Sequence, residues 1–212
     1  MADSQIAVES SAGTFHRQKR SIVTRQELIQ SARAVFARDG FEHARIEEIA
    51  HNAGKTRGAF YVNFDDKEDV FFAIFEEDID IDRAKLGPLL LNLPSPEQKM
   101  DAVAQYLFEL TKDRQRMLLN IEFKLYAIRH PSKRKRLANL HAMMCLRCTV
   151  PELASVFPKP DPAIPAEGMK DSLAVGALID GLALNHFFNP EALDQAEMAR
   201  FIELILRDVV TP

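Results

Sequence analysis

The sequence predicts an all-α fold, and three observations carry that prediction. No proline occurs before Pro88, so the first 87 residues hold no proline break, while the remaining prolines fall between apolar segments. Apolar residues recur at three and four positions along most of the chain, the helical period. No strict period-two run bounded by hairpin turns occurs, nor any repeat at fixed spacing. With 212 residues, 47% hydrophobic and 27% charged, the chain has an ordinary globular composition and can bury a core in one large or two smaller domains.

Each element has a local cause. Residues 1–20 read as a flexible N-terminal arm carrying the basic run His16-Arg17-Gln18-Lys19-Arg20. Thr24 followed by Glu27 forms a capping box that predicts a helix over about 24–38, with Leu28, Ala32, Val35 and Phe36 on its apolar face and Gly40 closing it. Ile46, Ile49, Ala50 and Ala53 give a short second helix ended by Gly54, and Thr56 is placed to cap a third running to about Phe64. These lie in a domain predicted over 21–66. Lys67 opens a long helix with Val70, Phe71, Ile74, Phe75 and Ile79 on one side, expected to end around Gly87-Pro88 and to join that domain to a helical body over 67–212. Further helices are expected near 96–112, 114–129, 132–148, 167–187 and 194–209, the last opened by Asp194 and Glu197, with a loop over 157–168.

Charge and cysteine usage narrow the function. Net charge is −4, but residues 15–64 carry nine Lys+Arg against five Asp+Glu, whereas 65–212 carry 18 against 24. A basic quarter on an acidic body points to a polyanionic partner. Cys145 and Cys148 are too few for a disulfide framework, and MADSQIAVESSAG lacks the pattern of a signal peptide, so a cytoplasmic location is expected. The most apolar stretch, LAVGALIDGLALNHFF, is broken by Asp180, Asn185 and His186 and is too short to span a membrane.

Helix, tight turn and helix within 46–64 are the elements of a helix-turn-helix, whose second helix lies in the major groove. Thr56, Arg57, Gly58, Ala59, Tyr61 and Asn63 place hydroxyls, a cation and an amide opposite Phe60 and Phe64, a face suited to DNA. The segment RIEEIAHNAGKTRGAFYVNFDDKEDVF, preceded by VFARDGF, resembles the DNA-binding segment of the TetR family of bacterial transcriptional repressors over about 24–75. More loosely, EFKLYAIRHPSKRKRL and GALIDGLAL resemble parts of that family's helical ligand-binding and dimerising domain.

The resemblance implies DNA contacts at Arg45, Thr56, Arg57, Gly58, Ala59, Tyr61, Asn63 and Lys67, and Lys55 joins this set. Thr56, Tyr61, the Gly58 amide and Lys67 suit phosphate oxygens, which set register without reading sequence. Arg57 suits guanine O6 and N7, and Ala59 a thymine methyl. On this reading Arg57→Ala relaxes specificity while Lys67→Ala weakens binding to all sequences alike. Two features depart from the family's pattern. Arg45 stands where a capping Thr is usual and cannot cap, and Val62-Asn63 replace an aromatic and a His.

In the body, the expected effector lining is Phe75, Ile79, Phe108, Met117, Asn120, Phe123, Tyr126, Met143 and His186, apolar walls with a few polar groups. The family resemblance implies a small-molecule effector and a homodimer formed by the last two helices, whose small residues Gly176, Ala177, Gly181 and Ala183 and stripe Met198, Phe201, Ile202, Ile205 and Val209 permit close packing. No cofactor or metal is expected: Cys145 and Cys148 form a C-x-x-C outside any βαβ setting, and His141 lacks evident co-ligands. The run Lys133–Arg136 reads as a solvated helix start. With no HExxH, GxSxG, P-loop or GxGxxG present, an enzyme is not expected. The resulting expectation is a dimeric repressor that binds a palindromic double-stranded operator and is released by a small molecule. The alternative is a helical ligand-binding protein or enzyme with vestigial DNA binding.

Overall fold

The computed structural model describes residues 2–147, 152 and 165–210, with side chains over 19–142, 152 and 173–208. Among the described residues there are nine helices and no strand: α1 (Ala2–Asp39), α2 (Ile46–Asn52), α3 (Arg57–Asn63), α4 (Lys67–Leu91), α5 (Pro96–Thr111), α6 (Arg114–Arg129), α7 (Pro131–Arg147), α8 (Pro165–Phe188) and α9 (Gln195–Val210). They form two compact units, Met1–Ile74 and Phe75–Pro212.

The first unit is α1, α2, α3 and the opening turns of α4 around one apolar centre. Leu28, Ala32, Val35 and Phe36 of α1 are buried as their spacing predicts, together with Ile49, Ala50, Phe60, Phe64, Val70, Phe71 and Ile74. Phe36, Phe41 and Phe71 pack ring on ring, with centroids 4.8–5.3 Å apart. Two buried polar groups pin the helices from inside: Ser31 Oγ donates to the Ile49 carbonyl at 2.7 Å, and Arg33 Nη2 to that of Ile74 at 3.3 Å. These contacts explain why the unit ends at Ile74, within α4, and not at its first residue.

Two helix bounds differ most from expectation. Helix α1 does not start at Thr24; it is continuous from Ala2, so the segment read as a flexible arm is helical. The capping box is a local signal, and it stops a helix only where the preceding turn unwinds. Here Glu27 does not cap but pairs with Lys55 Nζ at 2.7 Å. Helix α4 likewise passes through Pro88 to Leu91. Pro88 has no N–H for the Ala84 carbonyl, so α4 lacks one intrahelical bond close to its C-terminal end.

Gly40 and Gly54 end α1 and α2 with φ of 78° and 65°, the left-handed region. At Gly54 an added Cβ would meet nothing within 4 Å, so the backbone angle alone demands glycine there. Gly54→Ala is expected to lower the stability of the first unit by about 1–2 kcal/mol, read as a shifted denaturation midpoint.

In the second unit, α5, α8 and α9 meet α4 around Leu86, Leu90, Val103, Ala104, Ile179, Met198, Ile202 and Leu206. Side chains cap three of these helices, at Asp194 as the sequence predicts: Ser95 Oγ accepts from Gln98 N at 3.2 Å, Asp113 Oδ1 from Arg116 N at 2.9 Å, and Asp194 Oδ1 from Glu197 N at 2.9 Å. Asp82 of α4 is 7% exposed and receives both Arg116 guanidinium nitrogens, Nη1 at 3.0 Å, and the Tyr106 hydroxyl at 2.6 Å. Burial alone would depress Arg116, but the Asp82 carboxylate outweighs it and holds the guanidinium above the ordinary arginine range. No described helix is long and apolar enough to cross a membrane.

Candidate nucleic-acid interface

Helices α2 and α3 are joined by the short turn Ala53–Thr56. Gly54 N bonds the His51 carbonyl at 2.9 Å and Lys55 N the Ala50 carbonyl at 2.8 Å, which closes α2 and sends the chain into α3. Thr56 then caps α3, its Oγ1 accepting from Ala59 N at 3.1 Å, as the sequence predicts. Phe60 and Phe64 turn inward and are buried, with rings 5.6 Å apart. The opposite side of α3, with Thr56, Arg57, Gly58, Tyr61 and Val62, is exposed.

The Arg57 guanidinium sits in a defined setting on that face. Its Nη1 lies 2.7 Å from Glu47 Oε1 of α2, its Nη2 donates to Tyr61 Oη at 3.3 Å, and its centre lies 5.5 Å from the Tyr61 ring. The hydrogen bond to the Tyr61 hydroxyl, and then the Glu47 charge, raise its pKa. At Gly58 a Cβ would make only an ordinary 3.7 Å contact with Thr56 Oγ1, so no internal packing requires this glycine. Ala59 lies half-buried between the two sides of the helix.

The other predicted contacts divide. Arg45 occupies the N-cap position of α2 without a side-chain cap bond, as its chemistry requires, and is exposed. Lys55 is held by Glu27. Asn63 Nδ2 is turned back to the Ala59 carbonyl at 2.8 Å, which engages one of its two N–H donors within α3. Lys67 differs most from the expected free phosphate donor. Its Nζ lies 2.9 Å from the Phe41 carbonyl, 3.0 Å from that of Glu42 and 2.9 Å from that of Ala44. An ammonium has three N–H donors, so all are engaged, and burial lowers its pKa. The acids Glu27 and Glu47 were missed by sequence reasoning because their partners lie 28 and ten residues away; only charge opposite to the cationic set could have flagged them.

Of the expected effector residues, the structure brings some together. Phe75 and Phe123 meet edge to face at 5.3 Å, and Phe123 stacks on His141 at 5.9 Å. Asn120 Nδ2 donates to Asp180 Oδ1 at 3.4 Å, and Lys124 Nζ pairs with Asp180 Oδ2. His141 beside them has its pKa lowered by burial and then by Lys124, against Asp180. Ile79, Met117 and Tyr126 are buried, and Tyr126 Oη accepts from Lys133 Nζ at 2.8 Å. Phe108 packs instead against the α5, α8 and α9 core, and His186 Nδ1 bonds the Leu193 carbonyl at 2.8 Å. The Met143 side chain, Cys145 beyond its backbone, Cys148, and residues 157–164 of the expected loop lie outside the described residues; 165–168 belong to α8. A groove of about 550 Å³ lies along α7, lined by Ser132, Lys135, Arg136, Asn139 and Leu140, none of them in the expected effector set.

The α9 stripe is also redistributed. Met198 and Ile202, expected at a dimer face, are fully buried within the chain together with Leu206. The Val209 side chain lies outside the described residues. On α8, Ala177, Leu184 and Phe188 form an exposed row with Gly181 between them, Phe188 being 85% exposed, and Leu178 and Leu204 are also exposed.

A buried aromatic floor, a capped seven-residue helix and a tight turn from a preceding helix define a helix-turn-helix module in a chain whose other described elements are also helices. Residues 28–74 match the model of the family described as bacterial regulatory proteins, tetR family. The matched segment holds α2 and α3, and over it the chain is similar to that family's members. It is 43% identical over 54 residues to the HTH-type transcriptional repressor AcnR of Corynebacterium diphtheriae, covering 26% of this chain and 28% of AcnR. With the HTH-type transcriptional regulator AcrR of Shigella flexneri it shares 32% identity over 107 residues, 47% of this chain and 48% of AcrR. The chain thus spans half or less of the length of these curated relatives. The fold is that of the regulator FadR from Bacillus subtilis, solved in complex with stearoyl-CoA: TM-score 0.61 at 16% identity, over 88% of this chain and 97% of FadR.

Proposed function

We propose that the protein is a sequence-specific transcriptional regulator, a homodimeric repressor that binds a palindromic operator and is released by a small molecule. The observation that carries this reading is the exposed face of α3, where Thr56, Arg57, Gly58 and Tyr61 stand over buried Phe60 and Phe64. Arg57 reads a base edge, while Arg45, Lys55 and the Thr56 and Tyr61 hydroxyls meet phosphates. The Thr56 oxygen can cap α3 and still donate its proton outward. Lys67 supports the face by holding the 41–44 loop.

Dimerisation is assigned to the exposed row Ala177, Leu184 and Phe188 of α8, with half-buried Gly181 between them, and to Leu204 of α9, since a surface Phe that is 85% exposed calls for cover. Two copies related by a twofold axis present two recognition helices to a palindrome. The effector reading rests on the aromatic and polar group formed by Phe75, Phe123, His141, Asn120 and Asp180 and on the ligand carried by FadR. An effector releases the protein only if it binds the DNA-incompetent state more tightly. Equal effector affinity of free and operator-bound protein rules this out.

The test is selection of fragments from randomised and genomic DNA at near-physiological salt, followed by sequencing. An enriched palindrome is expected; folded, ligand-free protein with no enrichment overturns the reading in favour of a ligand-binding protein with vestigial DNA binding. On the selected site, Arg57→Ala is expected to cost about 1–3 kcal/mol and to relax preference at one base pair per half-site, measured by competition with single-base variants.

A further inference from the structure

We propose that Glu47 is a specificity-determining residue: its carboxylate, 2.7 Å from Arg57 Nη1, sets how far the protein prefers its operator over unrelated DNA. The inference rests on the DNA-binding reading above and deepens it. Two cations at the head of the recognition helix are held by acids from other helices, Lys55 by Glu27 of α1 and Arg57 by Glu47 of α2. The Arg57–Glu47 pair is largely solvent-exposed and the Lys55–Glu27 pair partly so, and exposed pairs add little to folding. Their consequence lies in what can approach the cations.

A guanidinium has five N–H donors, and guanine takes two of them through O6 and N7. Arg57 can therefore meet a guanine while Nη1 stays on Glu47, because the base edge is neutral. A phosphate is different: an anionic oxygen brought to Arg57 lies within a few ångströms of the Glu47 carboxylate, and like charges at that separation repel. Tyr61, bonded to Nη2 and stacked beneath the guanidinium, keeps Arg57 beside Glu47. Glu47 thus disfavours the contacts that all DNA offers and spares the one that only the right sequence offers.

Neutralising the acid while keeping its shape tests this. Glu47→Gln is expected to raise affinity for random-sequence duplex DNA by roughly two- to five-fold, the range of a lost surface charge interaction. Its salt dependence should steepen by about 0.9 in the log–log slope, one added phosphate. Affinity for the selected operator should rise less, so the ratio of the two falls. Glu48→Gln is the matched control: Glu48 is adjacent and makes the same charge change, but pairs with Arg38. In an Arg57→Ala background, Glu47→Gln should do no more than Glu48→Gln.

The proposal is overturned if Glu47→Gln and Glu48→Gln act alike on random DNA in otherwise wild-type protein. It is also overturned if Glu47→Gln weakens operator binding and leaves random DNA unchanged, since Glu47 then reads a base itself. If wild-type protein shows no salt-dependent DNA binding, the function proposed above falls first and this inference with it.

Discussion

Replacing Arg116 with Met is expected to lower the stability of the second unit by about 3–5 kcal/mol, the cost of stranding a buried charge. Asp82 is 7% exposed and takes two bonds from the guanidinium and one from the Tyr106 hydroxyl. Without Arg116 it keeps a single neutral donor, in a region where Asp78 is buried as well. Asp82→Asn combined with Arg116→Met removes both charges and should recover a large part of the loss, because the penalty arises from the unpaired carboxylate. Urea denaturation of the two variants measures this. A single-variant loss below about 1 kcal/mol would show that water reaches Asp82 and that the pair is worth no more than a surface one.

Lys67→Met is expected to destabilise the first unit by about 2–4 kcal/mol, because three carbonyls lose a charged donor that a methionine of similar length cannot replace. Those carbonyls, of Phe41, Glu42 and Ala44, belong to the loop that leads into α2. Loss of Lys67 therefore frees the approach of α2, and DNA affinity falls as a consequence of disorder. A phosphate contact has a different signature: unchanged stability, uniformly weaker binding and a salt slope shallower by about 0.9. Thermal denaturation and a salt titration on the same variant separate the two roles.

Much of the fold is readable without coordinates because its signals are local. Asp113 and Arg129 bound α6 where the sequence places them, since an Asp cap and the proline at 131 act within a few residues. Gly40 and Gly54 stop their helices through backbone angles that other residues adopt at a cost. Thr56 caps α3 by a bond three residues long. Thr24 failed as a start signal for a related reason: its box with Glu27 needs the chain before it to leave the helix, and Lys55, distant in sequence, claims Glu27 instead.

The candidate interface was legible in position and less so in role. Residue type and spacing identify α3 and its outward face, because a seven-residue helix with Phe60 and Phe64 on one side has little choice of which side to bury. They cannot say which cations are available. Arg57, Lys55 and Lys67 look equivalent as letters, yet one is held by Glu47 over Tyr61, one by Glu27 and one by three loop carbonyls.

The sequence by itself therefore determined the helical class, the helix-turn-helix, its caps and its inward and outward faces. Each of these depends on residues within about two helical turns of one another. Tertiary structure alone decided which apolar stripe is core and which is surface, as when Met198 and Ile202 are buried while Leu184 and Phe188 stay exposed. It also decided which charges are paired, as with Asp82 and Arg116, 34 residues apart. Hydrophobic burial and ion pairing act through space, and a helical period fixes only the face of a helix, not the neighbour it will meet.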